Sequence, residues 1–320
     1  MKTVVIIPCH NQADSVNVAQ RFLDRQSVRP DRVLIVDDHS DNNPCDFDAY
    51  DFTLVQNSTE RGRCNTRNHA ITWARENAYD LLIFMDGDTV PQHLDYIKAY
   101  KDAILKSPYG VPLPHRRQAI FGTRQHIFRP VNMKDFSYDF TYECIPITNL
   151  PSDLLTVNMG NCGEIKDPTD LRIVSGAISK FNDKNTDTIT KLAILTTGLV
   201  TWSCNFAITR EALDSLVNFR LLHFGNADYF DSKTFKDMWG GEDNIFGMDL
   251  IGADVDIKTS DIASVYHFMH ERAENNLFDY MREIPIRQER YYKIRKLVED
   301  REAAKTREEQ LVREMHDVEV

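Results

Sequence analysis

The chain has 320 residues, 42% of them hydrophobic, enough to bury a full core in one large or two modest domains. Its formal charge of −11 argues against a broad grip on nucleic acid or an anionic membrane, since both need clustered positive charge. Any anionic ligand must therefore be held locally. Six scattered cysteines (Cys9, Cys45, Cys64, Cys144, Cys162 and Cys204) lack C-x-x-C spacing, so neither a zinc knuckle nor a disulfide framework is indicated. The opening apolar run is too short for a signal peptide, and no stretch approaches the roughly 18 apolar residues of a membrane span. Together these features lead us to expect a cytoplasmic protein with reduced thiols and no membrane span.

The first hundred residues alternate strand and helix signals. Val4 to Ile7 reads as a buried strand. A helix capped by Asp14 or Ser15 follows, with Val16, Ala19, Phe22 and Leu23 on one face. Val33 to Val36 and Phe52 to Val55 are the next strands, and a helix from Thr66 to Asn77 leads into the strand Leu81 to Met85. Strands separated by helices imply right-handed crossovers and a mostly parallel sheet. Residues 111–195 carry prolines at 112, 114, 130, 146, 151 and 168 and no clean helical period, which predicts an irregular insertion. Order returns at Thr201 to Ile208, then a helix beginning near Arg210, then a loop containing Trp239-Gly240-Gly241-Glu242-Asp243 that leads into an amphipathic segment to Ile251. Val265 to His270 reads as a strand end or loop. From Arg282 the composition changes: ten basic and ten acidic residues balance, and Ile294, Leu297, Val298, Leu311, Val312 and Met315 fit one face of a charged helix packed loosely on the domain.

Polar residues cluster just past the strand ends: Cys9-His10-Asn11, Asp37-Asp38-His39-Ser40 and Asp86-Gly87-Asp88. In a parallel sheet they line one edge, where open α/β sheets bind ligands. Two carboxylates one residue apart suit a divalent cation whose open positions are filled by substrate phosphates. Asp38 or Asp37 suits the N–H of a nucleobase. Arg63 and Arg67, one helical turn apart near a helix start, suit a diphosphate. The paired glycines before Glu242 and Asp243 let backbone approach a ligand and move.

Together these motifs resemble the inverting glycosyltransferases of the GT-A fold. Val4-Val5-Ile6-Ile7-Pro8-Cys9-His10-Asn11 with Asp37-Asp38-His39-Ser40 is similar to the nucleotide-binding start of family 2, with His39 in place of a usual glycine. Arg61 to Ala70 is similar to that family's G-x-x-x-A-R-N-x-G element, and Asp86-Gly87-Asp88 falls where its D-x-D lies. The WGGED run resembles the same element of the β-1,4-galactosyltransferases, and His270-Glu271-Arg272 resembles their H-x-R. Ser203 to Leu213 resembles a G-x-N-F-A-x-x-R-x-A segment near donor sugar and acceptor.

The resemblance covers the first hundred residues and roughly 200–275 and implies a GT-A (Rossmann-like) mostly parallel sheet flanked by helices, to which the tail's composition adds a charged C-terminal helix. With it we divide the chain into a domain at 1–281 and a helical tail at 282–320. Within the domain, 1–110 would bind nucleotide, 111–195 is the insertion, and 196–281 is the acceptor and catalytic half. Asp243 would be the catalytic base and Glu242 would bind the acceptor. Pro8, Asp37, Asp38, Arg63, Arg67, Asp86, Asn205 and Trp239 would contact the donor. Asp88 and His270 would ligate metal, with Asp86 and His267 as further ligands. A mixed oxygen and imidazole set suits Mn²⁺ ahead of Mg²⁺. The implied reaction moves a hexose or N-acetylhexosamine from a UDP-sugar to a hydroxyl of a glycan, a lipid-linked sugar or another acceptor. Two rival readings are a nucleotidyltransferase, which should show an early Gly-rich phosphate loop with a lysine, and a sugar-nucleotide-binding module that has lost turnover.

Overall fold

The computed structural model describes residues 1–41, 53–56, 62–105, 117–128, 177–196, 204–235, 238, 240–269 and 276–318. The strands are β1 (Thr3–Cys9), β2 (Arg32–Asp37), β3 (Thr53–Gln56), β4 (Leu81–Met85), β5 (Thr89–Pro91), β6 (Gln118–Phe128), β7 (Asn205–Thr209) and β8 (Asp256–Met269). The helices that position the site are α1 (Ala13–Leu23), α2 (Arg63–Glu76), α3 (Tyr96–Leu105), α4 (Thr188–Thr196), α5 (Arg210–Phe224), α6 (Glu242–Gly252) and α7 (Asn276–Val318). No described helix is long and apolar enough to cross a membrane.

The eight strands form one sheet in the order β3-β2-β1-β4-β7-β6-β8-β5. β3, β2, β1 and β4 run parallel to one another, as do β6 and β8; β7 runs against β4 and β6, and β5 against β8. The sheet is mostly parallel, as expected, and is buried on both faces. Alternation along β1 explains how: Val4 and Ile6 join the core shared with α2, α5, α6 and α7, while Val5 and Ile7 join that of α1 and α3. β1 lies between β2 and β4, so strand order reverses beside β1, and ligands bind at such switch points.

Several expectations differ from the structure. The stretch taken for an irregular insertion supplies β6, an eleven-residue strand inside the sheet, and α4; residues 129–176 lie outside the described residues. The prolines that suggested a loop lie on either side of β6, not within it. α1 begins at Ala13 with Gln12 at its cap and no side-chain cap bond, so Asp14 and Ser15 fall inside the first turn. β8 extends well ahead of Val265, through a stretch whose polar residues hid it, and pairs with β6 along its length.

The C-terminal helix is less loose than its charge suggested. Ile294 and Val298 are buried in the core, and α7 packs on α4 and α6. Arg290 of α7 donates to Asp231 (2.9 Å) and to Asp249 (3.3 Å), and its guanidinium lies 3.8 Å from the Phe224 ring centroid. Asp249 also accepts from buried Arg220 (2.6 Å), so one ionic network joins α5, α6 and α7. Residues 302–314 are exposed, Leu311 and Val312 included.

Candidate active site

The crevice at the β1/β4 switch is built from close backbone approaches. The Gly87 amide donates to the Pro8 carbonyl (3.2 Å), and a Cβ at Gly87 would stand 2.6 Å from Gln12 Oε1 and 2.9 Å from Cys9 Cβ. Only glycine lets the Asp86-Gly87-Asp88 turn close against β1, which explains the residue between the two carboxylates. Pro8 is buried in β1 beside this turn.

Past β2, Asp37 accepts the Ser40 amide (2.8 Å), a local turn that holds the acidic pair in place. Both Asp38 oxygens accept the Gly62 amide (3.1 and 2.9 Å), joining the end of β2 to the start of α2. Asn11 and His39 both have left-handed backbone, at φ 56° and 55°. Left-handed φ costs a residue with a Cβ, and that accounts for glycine being usual at the position of His39.

Arg67 is the centre of the arrangement. Its Nη2 donates to Asp86 (3.0 Å) and its Nη1 to Glu242 (3.2 Å), while its carbon lies 5.5 Å from the Phe230 ring centroid. Burial opposes its charge, but Asp86 and Glu242 more than offset this and its pKa is raised. Burial likewise pushes Glu242 up, and the nearby Arg63 and Arg67 guanidiniums outweigh it, so its carboxyl titrates below the ordinary glutamate range. Arg63 lies 3.4 Å from Glu242 and donates to the Met238 carbonyl (3.2 Å). Asn68 exchanges hydrogen bonds with the Phe230 backbone (2.8 and 2.7 Å). Three residues of α2 thus hold the segment leading to α6 against the D-x-D turn.

The Nη atoms of Arg67, expected at the pyrophosphate, are engaged here by the two carboxylates, with which it braces the loop. Asn205, expected to contact the donor, lies in β7. Fully buried, it accepts from the Tyr96 and Tyr100 hydroxyls (2.8 and 2.7 Å) and donates to the Ala263 carbonyl (2.9 Å), which makes it a core residue.

Asp88 meets His267 because β5 pairs with β8: Thr89 is opposite His267 in the ladder, and His267 Nε2 lies 3.6 Å from Asp88 Oδ1. Among the described residues no group of three His, Cys, Asp or Glu side chains is drawn together as a metal site. His270 and Trp239 lie outside the described residues. Glu242 and Asp243 open α6, where the helix N-terminus favours negative charge, and the Asn244 amide donates to Asp243 (2.9 Å).

Sequence reasoning missed Glu283 of α7. It is buried, packs on Gly240 and Gly241, and pairs with Arg287 (3.1 Å), which also donates to the Thr196 carbonyl (3.2 Å). Its i, i+4 spacing from Arg287 was a visible signal, but it reads equally as a surface ion pair.

Fold and crevice define an α/β protein with an acidic, arginine-braced cleft at the carboxyl edge of its sheet. Residues 4–151, just under half of the chain, match the family described as Glycosyl transferase family 2. Those residues, which carry β1 to β6, are thus similar to that family. No curated protein matches the sequence. Similar solved structures include a mannosyltransferase from Pyrobaculum calidifontis in complex with GDP-Man and Mn²⁺, at 13% identity and a TM-score of 0.46 over 86% of this chain. This chain spans 59% of that one. Another is glucosyl-3-phosphoglycerate synthase from Mycobacterium tuberculosis with Mn²⁺, UDP and glucosyl-3-phosphoglycerate, at 13% identity and a TM-score of 0.45 over 90% of this chain and 78% of that one. A third is TarS 1-349 from S. aureus with UDP-GlcNAc, at 14% identity and a TM-score of 0.46 over 90% of this chain and 66% of that one. At these scores the likenesses add nothing to the sheet order and the family match.

Proposed function

We propose that the protein transfers a hexose or N-acetylhexosamine from a UDP-sugar to a hydroxyl of a glycan or other acceptor, with inversion and with a divalent cation. The observation that carries this reading is the Arg67 bridge, which ties Asp86 of the D-x-D turn to Glu242 of the catalytic loop in one buried ion triad. A donor diphosphate held near Asp86 and an acceptor held near Glu242 would then face one another across a short, braced distance.

Asp88 and His267 offer hard carboxylate oxygen and borderline imidazole nitrogen, a donor pair that fits Mn²⁺ ahead of Mg²⁺, with Asp86 and His270 as the further candidates. When bound, the cation would neutralise charge on the leaving diphosphate. Asp37 or Asp38 would accept the base N–H, and the partly exposed Arg63 would meet phosphate oxygens. Asp243 would take the acceptor hydroxyl proton as that oxygen bonds to the anomeric carbon and the bond from that carbon to the diphosphate breaks on the opposite face. Glu242 would orient the acceptor, and Trp239 would stack on a sugar. The resemblance of the WGGED and H-x-R runs to β-1,4-galactosyltransferases supports these roles.

Thermal unfolding with UDP-, GDP-, dTDP- and CMP-sugars, each with Mn²⁺, Mg²⁺ or EDTA, tests the donor half, since ligand at about 100 times its Kd adds about 2.7 kcal/mol. We expect a Mn²⁺-dependent shift with a UDP-sugar that is lost in Asp88→Ala. No shift with any nucleotide-sugar would overturn the reading.

A further inference from the structure

The paired glycines of the catalytic loop are roofed by a side chain from a distant part of the chain. Gly240 and Gly241 have φ of 103° and 82°, backbone that residues with a Cβ rarely adopt. A Cβ at Gly240 would lie 3.3 Å from Glu283 Oε2, and one at Gly241 would collide with the same oxygen. Glu283 Oε1 is held by Arg287, while Oε2 is buried with no hydrogen-bond partner among the described residues. A buried carboxylate oxygen facing a loop without forming a bond is costly unless it serves the site.

We propose that Glu283 is a positioning residue of the transfer reaction: its carboxyl, seated over Gly240 and Gly241, holds the loop that carries Asp243, and its charge strengthens the attraction of Asp243 for a proton. The proposal rests on the reading of Asp243 as the base. Four charged groups face Glu283: Arg287 on its own helix, Asp243 and Glu242 on α6, and Arg63 on α2. Burial first, and then the two α6 carboxylates, against the opposing pull of Arg287 and Arg63, push its carboxyl up to about 7. Near neutral pH it therefore alternates between a neutral acid, silent toward Asp243, and an anion that makes Asp243 a stronger base.

Two readouts test this separately. In protein labelled with ¹³C-glutamate, the carboxyl resonance absent from Glu283→Gln is assigned to Glu283 and titrated. Coupling is reciprocal, so in Asp243→Asn that titration should move to lower pH by about half a unit or more. An unmoved titration overturns the proposal whatever reaction the enzyme catalyses. The second readout is UDP release from UDP-glucose with water as acceptor, followed from pH 6 to 9. Wild type should show a rise in kcat centred near pH 7 of about three- to ten-fold that Glu283→Gln lacks, with KM for UDP-glucose within two-fold. Glu283→Asp, which keeps the charge but withdraws the carboxyl from the glycines, should keep the rise on a lower plateau. If Glu283→Gln matches wild type at every pH while Asp243→Asn is inactive, this inference fails and the base assignment stands. If Asp243→Asn turns over normally, the base assignment fails.

Discussion

At the scale of single residues, the proposed chemistry turns on Asp243. Its position in the first turn of α6, after two left-handed glycines and beside Glu242, keeps a carboxylate at a helix N-terminus where negative charge is favoured. The Asn isostere keeps the size and the Asn244 contact but cannot take up a proton. Asp243→Asn should retain Mn²⁺-dependent donor binding by thermal shift and lose transfer by a factor on the order of 10² or more. Near-normal turnover in that variant would remove Asp243 from its role. Single residues also show what the sequence could and could not disclose. Asp86-Gly87-Asp88 was legible because it ends an apolar strand, but the reason for its glycine, the approach to Cys9 and Gln12, needed the fold. Arg67 was legible as a site arginine, yet its partners are 19 and 175 residues away in sequence, and no local pattern reports them. Asn205 was expected at the ligand because its segment resembles one near donor sugar and acceptor, and its bonds to the two tyrosines of α3 lie 109 and 105 residues away in sequence, beyond any local pattern.

At the scale of elements, parallel strands were easy to read because burial on both faces gives continuous apolar runs, as in β1, β2 and β4. β6, β8 and α7 were harder. β8 reads DIKTSDIASVYHFM, with polar residues through its first half, and β6 carries Gly, Thr, Arg and Gln at its centre. α7 concealed two helices' worth of behaviour in one uniform composition. Ile294 and Val298 are buried in the core where it packs on α4 and α6, and residues 302–314 are exposed. Ile294→Ala should lower stability to denaturant by about 2–5 kcal/mol through cavity formation. Truncation after Arg301 should change it by no more than about 0.5 kcal/mol, since residues 302–314 are exposed. Comparable losses from both changes would mean that the distal helix packs on something in solution.

At the scale of the whole molecule, an acidic protein concentrates three carboxylates around one loop, and two of them, Glu242 and Glu283, are shifted in opposite directions. Glu242 has a lowered folded pKa, so its stabilising contribution is present above the ordinary glutamate value and is lost as the pH falls through the lowered one. Glu283 works the other way. With a folded value of about 7 against an unfolded one near 4.5, the native state binds more protons than the unfolded state between these values, and stability falls as the pH rises through that window. The full shift overstates the effect because solvent screens part of the field, so the expected loss between pH 4.5 and 7.5 is on the order of 1 kcal/mol. Replacing Glu283 with Gln removes the titration while keeping the shape. The stability difference between Glu283→Gln and wild type, from urea unfolding at a series of pH values, should therefore move in favour of the variant as the pH rises and level off above about pH 8. A difference that stays constant with pH would mean that Glu283 titrates alike in both states, and the carboxyl over the glycines would then be part of the packing and not of the electrostatics.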